Sequence, residues 1–268
     1  MPKVSTIKSR VKKFLEDMGA PLQSGEWLDS VKLELWSEAH KVKHAPVLAL
    51  KAEEATLSLT AIPKVAHRLA AVANACNSFS PPVRMRVIGH HDEDWGPERR
   101  GERDTRDLLH NWSPINLDRD AVIKKTASGH TSPILYVSFQ FISHKHLNQQ
   151  NTTLLSFKEL SSPRKMALVR SYCGDDMDSV ARRAHLKGYT PPILPAPRVL
   201  SLGGVLAIGG HGSRMSDSRA EIDERGKARN WPGSISASVE RATVVMWSKT
   251  AGKYVAKNLN RNSPQLPF

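Results

Sequence analysis

The chain has 268 residues, 40% of them apolar, and carries 39 Lys and Arg against 26 Asp and Glu, for a formal charge of +13. Such a chain can bury a sizeable core, and it lacks the run of about 18 apolar residues that a membrane-spanning helix needs. Two cysteines, Cys76 and Cys173, are too few for a disulfide framework or a cysteine-built zinc cluster, and their apolar surroundings predict that both are reduced and buried.

The first segment predicts an amphipathic helix. Ile7, Val11, Phe14, Leu15 and Met18 fall on one face, Ser5 or Thr6 can cap its start, and Gly19 stops it. No apolar core of a secretory signal is present, so the default expectation is a cytoplasmic protein, with organelle targeting left open by the basic pattern. Residues 20–60 carry no distinct signal. From Pro63, which suits a first helical turn, Val65, Leu69, Val72, Ala73 and Cys76 mark a second helix, and "VRMRVI" after it reads as a strand.

Residues 89–107 are almost wholly polar and read as a surface loop. "SPILYVSFQFIS" alternates Val137, Phe139 and Phe141 with polar residues, as a half-buried strand does. Residues 166–173 read as a further strand, with Gly174 at a turn. Asp175 or Asp176 then caps a helix through Met177, Val180, Ala181 and Ala184, and Gly188 stands just past its end. "PPILPAPRVL" is an extended connector, and residues 241–259 predict a β-hairpin turning at Ala251-Gly252. Short helices and strands alternating in this way give an α+β domain.

Two stretches stand apart. "HNWSP" (110–114) sets an imidazole, an amide, an indole and a hydroxyl side by side before a proline. In "LGGVLAIGGHGS" (202–213), Gly203-Gly204 and Gly209-Gly210 with Gly212 bracket a short apolar run, where backbone can approach a ligand closely. The spacing is neither GxGxxG nor GxxxxGK[ST], so a Rossmann site and a P-loop are unsupported. The bland reading is a glycine-rich turn between two strands.

Together with "GSISASVERATVVMWSKTAGKYVAKNLNRNSPQ" (233–265), these stretches make the sequence resemble the flavin-binding domain of vanillyl-alcohol-oxidase-type (PCMH-type) flavoproteins, and most closely the covalent-flavin (type II) cholesterol oxidases. The resemblance covers about half of the chain, with the first two motifs in the family's order. It implies a PCMH-type FAD-binding domain of two small α/β subdomains over residues 56–268, after an N-terminal helical or irregular segment over 1–55. It implies FAD bonded covalently through a ring nitrogen of His110, with Asn111 and Ser113 along the pyrophosphate and flavin. Gly203, Gly204, Gly210, His211 and Gly212 would contact the cofactor from the second stretch, and Ser234 and Ser236 from a later one.

The resemblance also implies the family's chemistry, oxidation of an alcohol or sterol to a ketone with oxygen as acceptor. It departs from the family at a surface insertion over about 87–107, where His90 or His91 offers a decoy attachment point. The family's substrate domain is missing as well, so the expectation is a truncated module that needs that domain supplied, and no catalytic residue can be named. The alternative is a non-catalytic, basic scaffold docking on nucleic acid or a larger assembly. No nucleic-acid module and no aromatic residues interleaved with Arg signal such binding. A metal site built on His90, His91, Asp92 and Asp94, or on His144 and His146, lacks defined geometry, and no GxSxG elbow supports a serine nucleophile.

Overall fold

A computed structural model describes residues 2–34, 41–51, 57–87, 134–140, 156–161, 166–191, 193–195, 200–207, 209–210, 235–260 and 263. Helix α1 (Val4–Asp17) begins a residue earlier than either predicted cap: the N–H groups of Thr6 and Ile7 bond to the Lys3 carbonyl. It ends as predicted. Gly19 takes a φ of +72°, its N–H bonds to Glu16 O and that of Ala20 to Leu15 O, the two bonds of a Schellman cap.

The region left indistinct holds two strands, β1 (Trp27–Glu34) and β2 (Lys41–Lys51), paired antiparallel. Helix α2 (Lys64–Asn77) follows, with Pro63 as the residue just before it rather than inside its first turn. Strand β3 (Arg84–Val87) and strand β4 (Ile134–Gln140) both run parallel to β2, in the order β1-β2-β4-β3. Strand β4 thus enters between two strands that precede it in the chain.

Val47, Leu48, Ala49 and Leu50 are all buried, so both faces of β2 are covered, as parallel strands require. Leu48 and Leu50 join Leu135 of β4, Ile7, Val11 and Leu15 of α1, and Val65, Val72 and Cys76 of α2 in one core. Inside it lies an ion pair. Glu26 and Arg68, fully and almost fully buried, bond through both carboxylate oxygens at 2.6 Å each, while Glu26 also accepts from the N–H groups of Gln23 and Lys51 at 2.7 Å each. Burial alone would push the Glu26 carboxyl up, but these hydrogen bonds outweigh it and hold the group below its ordinary 4.5.

The second half adds strands β5 (Ser156–Leu160) and β6 (Met166–Arg170), helix α3 (Met177–His185), helix α4 (Leu202–Ala207), a 3-10 turn (Ile235–Ser238), and the predicted hairpin, β7 (Arg241–Ser248) with β8 (Lys253–Asn260). Gly252, at φ +59°, makes its turn. The hairpin docks on α2. Asn74 donates to the Tyr254 carbonyl at 2.9 Å and accepts from the Tyr254 N–H at 2.7 Å. On β6, Arg170 donates to the carbonyls of Ser58 and Ala61 and to Thr243 Oγ1, tying the segment before α2 to β7.

Candidate functional site

Ligands of parallel sheets bind beyond the carboxyl ends of the strands. Here β3 leaves that edge at Val87 and the chain returns as β4 at Ile134. His110, Asn111 and Ser113 belong to this connection, as do the decoys His90 and His91, and all lie outside the described residues. So do His211, Gly212 and Ser234. Gly203, Gly204, Gly210 and Ser236 can be placed.

They belong to a compact unit built on the turn before α3. The Asp175 carboxylate accepts from the Ser171 hydroxyl, from the Tyr172 N–H at 3.2 Å and from Arg183 at 2.8 Å. It draws residues 171–172 off the strand, so β6 ends at Arg170 and not at Cys173. Cys173 is exposed, against the expectation that both cysteines are buried. The Asp176 side chain caps α3 through the Ser179 N–H, as the sequence predicts.

Residues 202–207 form a helix, not the strand-flanked turn of the bland reading. Ser201 caps it by accepting from the Gly204 N–H at 3.2 Å, while the N–H groups of Leu202 and Gly203 bond to the carbonyls of Asp175 (2.7 Å) and Cys173 (2.6 Å). At the other end Gly209, at φ +61°, bonds to Leu206 O and Gly210 to Val205 O, a second Schellman cap. Ser236 donates to Leu206 O at 3.0 Å, and Val205 packs with Met177, Ile193 and Ile235.

Gly203, Gly209 and Gly210 therefore have an internal reason to be glycine. A Cβ on Gly203 would stand 2.8 Å from Cys173 Cβ, and one on Gly210 would stand 2.4 Å from Val205 Cγ1. The N–H groups of Gly203, Gly204, Gly209 and Gly210 all bond within the chain. Close packing within the chain, and not an open ligand surface, therefore accounts for the missing side chains of Gly203 and Gly210.

Among the described residues no group of His, Cys, Asp and Glu could hold a metal ion, and no helix is long and apolar enough to cross a membrane. An open groove of about 430 Å³ lies between the ends of α1 and α2 and the hairpin turn, lined by Phe14, Met18, Asn74, Asn77 and Lys253 among others. It is remote in sequence from every predicted site residue.

No model of a protein family matches the sequence, and no curated protein sequence does. Solved structures do match. A solvent-stable cholesterol oxidase superposes with a TM-score of 0.51 at 22% identity, over 88% of this chain and 34% of its own. A cholesterol oxidase from Brevibacterium sterolicum gives 0.48 at 18% identity, over 89% of this chain and 33% of its own. The chain has the mixed helix-and-strand fold of one portion of the first of these, and spans about a third of the length of the solved chains it matches.

Proposed function

We propose that the chain is an FAD-binding oxidoreductase module of the PCMH type, related to the alcohol- and sterol-oxidising flavoproteins. The observation that carries this reading is the fold likeness over 88% of the chain to a cholesterol oxidase, in a sequence that also has "HNWSP" and "LGGVLAIGGHGS" in the family's order.

The described residues fit such a cofactor as a frame. The attachment point would be His110, in the connection that follows β3 from the carboxyl edge of the parallel strands, with Asn111 and Ser113 assigned to the pyrophosphate. Because α4 closes its first N–H groups on Asp175, Cys173 and Ser201, the phosphates are not held at its start. Gly203, Gly204, Gly210 and Ser236 would instead line the flavin by shape, and His211, Gly212 and Ser234 would supply polar groups. FAD, when bound, supplies a two-electron acceptor; the chain orients it and excludes water. The substrate class proposed is an alcohol or sterol.

The test is direct. The purified chain and its His110→Ala variant are denatured in acid and detergent, and flavin fluorescence is read in the gel band. Fluorescence that stays with the wild-type band and leaves the variant is expected. A colourless protein that also fails to take up added FAD would overturn the reading.

A further inference from the structure

The two edges of the β7–β8 ribbon differ. Tyr254 turns its N–H and its carbonyl outward from β8 to Asn74, and the Asn260 N–H likewise turns outward, to Ser263 Oγ at 3.0 Å. Both residues therefore sit at pairs, Trp247↔Tyr254 and Arg241↔Asn260, that do not bond across the ribbon. Such pairs alternate along an antiparallel ladder, so Thr243↔Asn258 and Val245↔Ala256 are of the same kind. On β7, then, the N–H and C=O groups of Arg241, Thr243, Val245 and Trp247 point away from β8. Among the described residues none of these groups has a backbone partner, and no third strand joins the ribbon.

Open edges normally carry a device against further pairing: a lysine, a proline or a bulge. Strand β7, "RATVVMWS", has none of these. Its register against β8 runs unbroken from Arg241 to Ser248. Its one charge, the exposed Arg241, stands at the first position, and Trp247, near the other end, is 42% exposed.

We propose that this edge pairs with the same edge of a second copy, antiparallel about a two-fold axis, so that two hairpins make one four-stranded sheet. One register engages all four outward-facing residues. It sets Arg241 opposite Trp247 of the second copy and Thr243 opposite Val245, with Val244 facing Val244 on the axis and Ala242 facing Met246. Arg241 and Trp247 lie an even number of residues apart and so project from the same face of the ribbon. The guanidinium of each copy thus meets the exposed indole of the other, and no like charges meet. Moving the axis to Val245 would set Arg241 against Lys249, and moving it to Thr243 would leave Trp247 opposite Val239, outside the strand. A second copy fits better than a foreign strand because the strand complements itself: its cation and its exposed ring stand at equal distances on either side of Val244.

Sedimentation equilibrium of the full-length chain over a range of concentrations should show monomer and dimer in exchange. Trp247→Lys sets like charges opposite each other at two symmetric places and should weaken the dimer roughly tenfold. Adding Arg241→Glu should restore it, because the two new charges then face each other between copies. Val245→Pro removes an outward-pointing N–H and should leave only monomer, whereas Ala256→Pro, on the same rung but at the β8 edge, should still dimerise. Circular dichroism shows whether each variant is folded. Val244→Cys in a Cys173→Ser background gives a reading that needs no proline: residues facing each other on the axis lie at a spacing that a disulfide spans, so oxidation should link two copies. A monomer at every concentration, no rescue by the charge swap, equal loss in the two folded proline variants, or no cross-link from Val244→Cys would each overturn the proposal.

Discussion

Asn74 holds Tyr254 by both of its backbone groups, donating to the carbonyl at 2.9 Å and accepting from the N–H at 2.7 Å. A helix side chain here stands in for a neighbouring strand, giving the edge of β8 the partner that a sheet would otherwise supply. Asn74→Ala leaves a backbone donor and a backbone acceptor without partners at the α2–hairpin junction, at a cost of about 1–3 kcal/mol. The urea midpoint should fall accordingly. Asn74→Asp, which keeps the acceptor but not the donor, should lie between the two, and an unchanged midpoint in both variants would show that the junction does not depend on this amide.

Removing one member of the Glu26–Arg68 pair strands the other in the core. Arg68→Met should destabilise by about 3–5 kcal/mol, because the Glu26 carboxylate loses its counter-charge while remaining buried. Chemical denaturation of the variant against wild type measures this directly.

The same carboxylate sets a pH dependence. Its folded pKa lies below the ordinary 4.5, so its contribution to stability is present above that value and is lost as pH falls through the lower, folded pKa. Thermal midpoints followed downward from pH 6 should decline, and Glu26→Gln should flatten the decline. A parallel slope in the variant would assign it to other carboxylates.

Gly210→Ala places a methyl 2.4 Å from Val205 Cγ1, and the strain should cost about 1–3 kcal/mol. Val205→Ala removes that neighbour, so the double variant should be less destabilised than the sum of the singles, a coupling that a double-mutant cycle reads. Additive losses would mean that the backbone, not the side chain, takes up the clash.

The two cysteines should differ in reactivity. Burial raises the Cys76 thiol to about 12, and desolvation with the neighbouring Asp175 carboxylate holds the Cys173 thiol above its ordinary 9.0 as well, but Cys173 is exposed, so access rather than acidity separates them. Native protein should therefore label at one thiol with a disulfide reagent, Cys173→Ser should abolish that labelling, and Cys76 should react only on unfolding.

Local signals were legible in the sequence and distant ones were not. The periodicity of α1, α2 and α3, the glycine stops at Gly19 and Gly188, the Asp176 cap and the Gly252 turn all depend on neighbours within a few residues. Strand β2 escaped because a strand buried on both faces does not alternate; the run "APVLAL" was the available clue. The end of β6 was misplaced because the Asp175 carboxylate reaches back to residues 171–172, which no strand pattern encodes. Reading α4 as a turn followed from the glycines in and just after it; the roles of Gly203 and Gly210 as close-packing positions and of Gly209 as the cap emerge only with Cys173 and Val205 in place. Arg170 and Asn74, which join the two halves, looked like ordinary polar residues on an element's surface.

Strand β4 closes a slot that β2 and β3 leave between them. A nascent chain that has emerged only as far as Val87 has both of those strands and none of the residues that hydrogen-bond them together. Its two facing edges stay unpaired until Ile134–Gln140 follow. Synthesis at about 5–20 residues per second keeps that gap open for seconds, an interval in which another strand could take the place of β4. The order in which the ribosome delivers the sheet thus leaves the strand that joins its two parallel neighbours until last.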